Sequence, residues 1–88
     1  MAQFELQIVS PDRVVFEGQV ESIVVPGGDG YLGIMANHAP LLSTLQDGQL
    51  TLKGGETASA TYNLAGGGFV EVHNNKVVVL AKEVKEAS

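Results

Sequence analysis

The 88-residue sequence has no cysteine and no tryptophan, only three prolines, and five basic residues against ten acidic ones. Without cysteine there is neither a disulfide framework nor a thiolate metal site. A formal net charge of −5 with no basic cluster counts against direct binding to nucleic acid or anionic lipid. No apolar run approaches the roughly 18–20 residues that a bilayer-crossing helix needs. The start, Met1-Ala2-Gln3-Phe4-Glu5, lacks the basic and apolar stretches of a signal peptide, so a soluble protein kept inside is expected. Helical periodicity is equally scarce. The best window, residues 36–45, is limited by Pro40, and residues 81–88 are charged and too short to hold a helix alone.

What is present alternates. Phe4, Leu6 and Ile8 interleave with Gln3, Glu5 and Gln7, the pattern of a strand buried on one face. Residues 13–17 and 20–25 are rich in β-branched side chains and are broken by Gly18. Leu50 and Leu52 alternate with Gln49, Thr51 and Lys53. Ala58, Ala60, Tyr62 and Leu64 alternate with Thr57, Ser59, Thr61 and Asn63. Lys53-Gly54-Gly55-Glu56 predicts a two-glycine hairpin turn, and His73-Asn74-Asn75-Lys76 predicts a second hairpin, because asparagine tolerates positive φ. Phe4, Phe16, Phe69 and the valines are assigned to the core. The expected fold is all-β: a two-sheet sandwich or flattened barrel of about eight to ten short strands. A chain of this length fills one core, so residues 1–88 form one domain, with 83–88 a short polar tail.

Residues 27–42 read GGDGYLGIMANHAPLL. Gly28, Gly30 and Gly33 match the G-x-G-x-x-G spacing of dinucleotide-binding loops, but that fingerprint works only when its third glycine opens a helix. Asn37 and Pro40 follow too soon for one, and the segment holds no lysine for a phosphate loop. The glycines therefore predict tight turns between strands. His38 lacks partners at metal-ligand spacing, and a triad of Ser43, His38 and Asp47 has no nucleophile-elbow context. On residue chemistry, His38 orders its loop by bonding a backbone group, with Pro40 fixing the next turn. Asp29, Tyr31 and Leu32 lie at or beside a glycine turn that is solvated or faces a partner. Asp47-Gly48 predicts another turn, and Gly66-Gly67-Gly68 predicts close backbone packing or a bulge.

Three strings in register, over roughly residues 4–82, carry a resemblance. They are Ser10-Pro11-Asp12-Arg13-Val14-Val15-Phe16-Glu17-Gly18, the G-x-L-G-I-x-x-x-H-A-P-L-L string that runs to Leu42, and Gly66–Val72 followed by Lys76–Ala81. The chain resembles the epsilon subunit of F-type ATP synthases. The resemblance implies a non-catalytic central-stalk part of a proton- or sodium-driven rotary synthase. Such a part binds the gamma subunit on one side and the c-ring at one end, at the cytoplasmic face of an energy-transducing membrane. It carries no metal, cofactor or small-molecule substrate. The implied partner contacts are Asp29, Gly30, Tyr31, Leu32, Gly33, His38, Ala39, Pro40, Leu41 and Leu42. Many members of the family have glutamate where Tyr31 stands, which passes any charged role to Asp29, and many have proline where Asp47 stands. Members commonly carry two further helices that can inhibit ATP hydrolysis. The sequence stops at Ser88, where that hairpin would begin, so uninhibited hydrolysis is expected. Two other readings remain open. One is a ligand-binding sandwich using the glycine loops at 27–33 and 66–68. The other is a prosthetic-group carrier, disfavoured because Lys53 and Lys76 adjoin their turns without occupying the tip.

Overall fold

The structure, a computed structural model, describes residues 2–55 and 59–87. Glu56 of the predicted turn, and Thr57 and Ala58 of the predicted alternation, lie outside the described residues. Among the described residues there are eight strands: β1 Phe4–Ser10, β2 Arg13–Val20, β3 Ser22–Gly27, β4 Gly30–Met35, β5 Leu41–Leu45, β6 Gly48–Lys53, β7 Ala60–His73 and β8 Lys76–Glu86. Helix is absent among the described residues, and the all-β expectation holds.

One hydrogen-bonded path runs β2-β1-β8-β7-β5-β3-β4, and β6 pairs with β3 and β7. The long strands serve two layers. The later half of β7, Gly68 to Val72, pairs with β5, while its first half, Ala60 to Leu64, pairs with β6. Strand β8 follows β7 along its length and joins β1 in parallel only through Lys76 to Leu80. One layer is therefore β2-β1-β8-β7-β5 and the other β8-β7-β6-β3-β4, a β-sandwich closed around a single apolar cluster. Phe4, Leu6 and Ile8 enter the cluster from one layer, and Ile23, Val25, Ile34, Leu50 and Leu52 from the other. Tyr62 is buried with them, its ring 6.5 Å from that of Phe16. Burial, and secondarily Glu86, raises its phenol above the ordinary value.

The crossing between layers is a bulge. The β7–β8 register slips between Ala65 and Gly68, where Gly66 and Gly67 have φ near 87° and 86°. Two residues of β7 there face the single Lys82, which bends both strands. The Gly66–Gly68 expectation of a bulge and close packing is met.

Four sequence expectations need correction. Gly18 does not break a strand: β2 runs through it to Val20, and the break falls at Glu21. Residues 83–86 are not a tail, because β8 continues to Glu86. Ala81 and Val84 both face the core across an alternation that shifts at the bulge, which hides the strand from period-two reading. Phe69 is 41% exposed and lies on the outer face of its layer, and Phe16 is only half-buried. The link from β6 to β7 is longer than a two-glycine turn, since Leu52 pairs with Ala60, although Gly54 and Gly55 do take positive φ.

The Asn74-Asn75 turn is as predicted: φ values of 51° and 60°, with His73 paired to Lys76. Asn75 is also a clamp. Its Oδ1 accepts the Asn37 N–H at 2.7 Å and its Nδ2 donates to the Gln3 carbonyl at 2.9 Å. Substituting Asn75 by alanine removes both bonds and places a Cβ-bearing residue with no local side-chain bond in the left-handed region. Urea unfolding should register a loss of about 2 kcal/mol.

Candidate functional site

The partner residues expected from the sequence divide between two ends of β5. At one end is the tip of the β3–β4 hairpin. Gly27 pairs with Gly30, leaving Gly28 and Asp29 as the loop, so the glycines turn one strand into the next. The loop's polar groups are used within the chain. The Gly28 N–H donates to the Thr44 carbonyl at 3.1 Å, and its carbonyl accepts from Gln46 Nε2. A Cβ at Gly28 would lie 2.8 Å from Thr44 Oγ1. Asp29 and Tyr31 stand exposed, and the Tyr31 hydroxyl accepts the Gln49 N–H at 3.4 Å. The hollow behind this tip, lined in part by Gly28, Leu32 and Leu41, holds about 260 Å³. A second glycine loop is similarly engaged, since the Gly66 N–H donates to Asp47 Oδ1 at 3.0 Å. Each loop thus has one glycine N–H already bonded within the chain, which weakens the ligand-cradle reading.

At the other end of β5, residues 36–40 cross from β4 to the opposite layer. His38 donates its backbone N–H to Met35 at 3.2 Å, and its Nδ1 lies 2.7 Å from the Ala39 carbonyl. The half-buried imidazole thus bonds a backbone group, as residue chemistry predicted. Ala39 and Pro40 are exposed and lead into β5. The six residues of β4 span about 20 Å, which sets Asp29 and His38 apart by about the length of that strand. Ser43 Oγ donates to the Thr44 carbonyl, Asp47 serves Gly66 and His38 serves Ala39, so the three triad candidates each have other partners. Among the described residues, no group of three or more His, Asp or Glu side chains converges to hold a metal ion.

Leu41 and Leu42 part company. Leu41 packs against the core, whereas Leu42 is 70% exposed. Leu42 belongs to a surface that sequence reasoning missed. On the outer face of the β2-β1-β8-β7-β5 layer, successive registers pair Val14 with Val9, Val9 with Leu80, Leu80 with Phe69 and Phe69 with Thr44. An apolar row therefore crosses four strands and ends at Thr44 of β5, and Leu42 adjoins its Phe69 end across a hollow of about 520 Å³. Farther along the same face come Gln7, Glu17 and Glu71, then Glu5, Lys76 and His73. The face grades from apolar to charged, as a partner-binding surface with a polar rim does. A signal was available: Val70, Glu71 and Val72 alternate, which puts Phe69 on the face of Glu71. Another was the lack of any Asp, Glu, Lys or Arg from Gly30 to Gln46.

Comparison with known proteins agrees with the β-sandwich fold. Residues 3–87 match the family described as ATP synthase, Delta/Epsilon chain, beta-sandwich domain. The chain is 36% identical over 88 residues to the ATP synthase epsilon chain of Caulobacter vibrioides, covering 100% of both. It is 41% identical over 85 residues to that of Dichelobacter nodosus, covering 97% of this chain and 59% of the relative. It spans about three fifths of the length of several such relatives. Among the described residues, no helix is long and apolar enough to cross a membrane. Its fold resembles a chain of the Euglena gracilis mitochondrial ATP synthase (OSCP/F1/c-ring) with a TM-score of 0.88 at 23% identity, covering 98% of this chain and 54% of that one. A second neighbour, in the Tetrahymena thermophila mitochondrial ATP synthase central stalk and c-ring, has a TM-score of 0.74 at 21% identity, covering 91% and 63%. With a family match from residue 3 to residue 87 and a relative aligned end to end, the chain belongs to the ATP synthase delta/epsilon chain β-sandwich family.

Proposed function

We propose that this chain is a non-catalytic part of the rotor of a proton- or sodium-driven F-type ATP synthase, joining the gamma subunit to the c-ring. The observation that carries the reading is the apolar row Val14–Val9–Leu80–Phe69 with Leu42 at its end. A stable stalk contact needs on the order of 800 Å² from each partner, with an apolar centre and a polar rim. The graded face supplies both, so gamma is assigned to it, and the strap carrying His38, Ala39 and Pro40 borders it at the Leu41 end of β5. The hairpin tip, Asp29 to Gly33, is assigned to the c-ring. Tyr31 replaces the common glutamate of the family there, and Asp29 supplies the charge. The protein sits peripherally, at the cytoplasmic face of the energy-transducing membrane. It makes and breaks no bond, needs no cofactor, and acts by transmitting torque.

The test is co-purification. Tagged chain recovered from membrane extract should bring down gamma in stoichiometric amount, and a preparation free of gamma would discard the reading. Substituting Asp29 by lysine should weaken association with the c-ring about three- to tenfold at low salt, with the difference fading toward 0.5 M salt as exposed charges are screened. An affinity that ignores both the substitution and the salt would remove the tip from the ring contact.

A further inference from the structure

The sandwich has two edge strands, β2 and β4, and they are built differently. Strand β2 carries Arg13 and Glu17, and its register to β1 slips between Ile8 and Val9, leaving Val15 as the extra residue. Charge and a bulge are the devices that stop one sheet edge from pairing with another. Strand β4 has neither. Its sequence Gly30-Tyr31-Leu32-Gly33-Ile34-Met35 contains no charge and no proline, and its register to β3 is unbroken.

The hydrogen-bond phase shows which backbone groups are free. The Gly28 N–H and Pro26 carbonyl of β3 bond to Thr44 and Gln46, on the side away from β4. Alternation then turns Gly27, Val25 and Ile23 toward β4, where they meet Gly30, Leu32 and Ile34. The backbone groups of Tyr31, Gly33 and Met35 point to the open edge, and among the described residues only the Met35 carbonyl has another partner, the His38 N–H. The side chains leave the edge open too. The Tyr31 hydroxyl reaches back to Gln49, and a Cβ at Gly33 would meet nothing within 4 Å.

We infer that β4 is a docking edge for a second copy of this chain, pairing antiparallel across a two-fold axis at Gly33. In that register Gly33 faces Gly33 of the partner copy, and Tyr31 faces the partner's Met35. Every free N–H on one strand then meets a carbonyl on the other. The chain's net charge of −5 opposes self-association elsewhere, but the segment from Gly30 to Gln46 brings no like charges together. Tyr31 and Met35, 65% and 67% exposed, are covered in the pair. The inference concerns the free chain and stands apart from the stalk reading. Because both use Tyr31 and Gly33, pairing would compete with docking at the ring.

Sedimentation equilibrium of the chain from about 10 μM to about 1 mM should show a concentration-dependent dimer. In that dimer the amides of Tyr31, Gly33 and Met35 should exchange slowly; in dilute monomer, of the β4 amides, only those of Gly30, Leu32 and Ile34 should be protected. The variant Gly33→Lys has open space for its side chain, so it should fold normally while weakening the dimer about tenfold or more, by like charges directly opposite. Gly33→Thr should tighten it, and Phe69→Lys, on the other face, should leave it unchanged. A monomer throughout the concentration range would overturn the inference, including one whose Gly33 amide is protected only after gamma is added. So would a dimer that survives Gly33→Lys or is lost with Phe69→Lys.

Discussion

Replacing Gly68 with alanine is expected to destabilise the domain by about 3 kcal/mol, enough to lower the melting temperature by roughly 15–20 °C. The cause is contact, since Gly68 does not have a positive φ. A Cβ there would lie 2.0 Å from the Leu80 carbonyl oxygen and 2.8 Å from the Ala81 Cα, both backbone atoms of the adjoining strand. No rotamer change relieves such a clash; the strands must separate where both bend. The neighbouring Gly67 is the control. It has φ near 86° but open space for a Cβ, so Gly67→Ala should cost only about 1 kcal/mol, the ordinary penalty for a left-handed residue. Urea titration of the two variants separates the effects. Equal losses would mean that backbone conformation, and not close packing, is what the glycine run supplies.

The second large effect concerns binding. Substituting Phe69 by aspartate should reduce affinity for gamma about 30- to 1,000-fold, the range for losing a central aromatic anchor. Stability should change little by comparison, because the ring is already 41% exposed and the new carboxylate can reach water. The control is Asn63→Asp. Asn63 is exposed on the outer face of the other layer and bonds Gln49 at 3.2 Å, so the same charge change there should leave gamma binding nearly intact. If both variants bind gamma as the parent does, the apolar row is not the stalk contact.

Much of the fold was legible because strand burial follows a period of two. The alternations at Phe4–Ile8 and Leu50–Leu52, the paired asparagines at 74–75 and the glycine run at 66–68 each led to the observed element. The reading failed where that period is interrupted. Between Ala81 and Val84 two exposed residues intervene, so a continuing strand reads as a polar tail. Gly18 misled for a different reason: on an edge strand it can sit inside the ladder without ending it. Of the candidate site, the tip and the strap were visible as turn chemistry. Their separation to opposite ends of β5 was not, because nearness in sequence hides the length of the strand between them. The apolar face was missed because a phenylalanine is assigned inward by default, whereas its direction depends on the register of Val70 and Val72.

The threading of β7 and β8 through both layers bears on how load passes across the domain. In a sandwich whose sheets touch only through side chains, shear is resisted by dispersion contacts that can slip past one another. Here any sliding of one sheet over the other must stretch or tear two continuous polypeptide segments, with Gly68 lodged against the neighbouring backbone at the corner. Mechanical strain entering one sheet is thus delivered to the other along covalent bonds, and the domain twists as a single body.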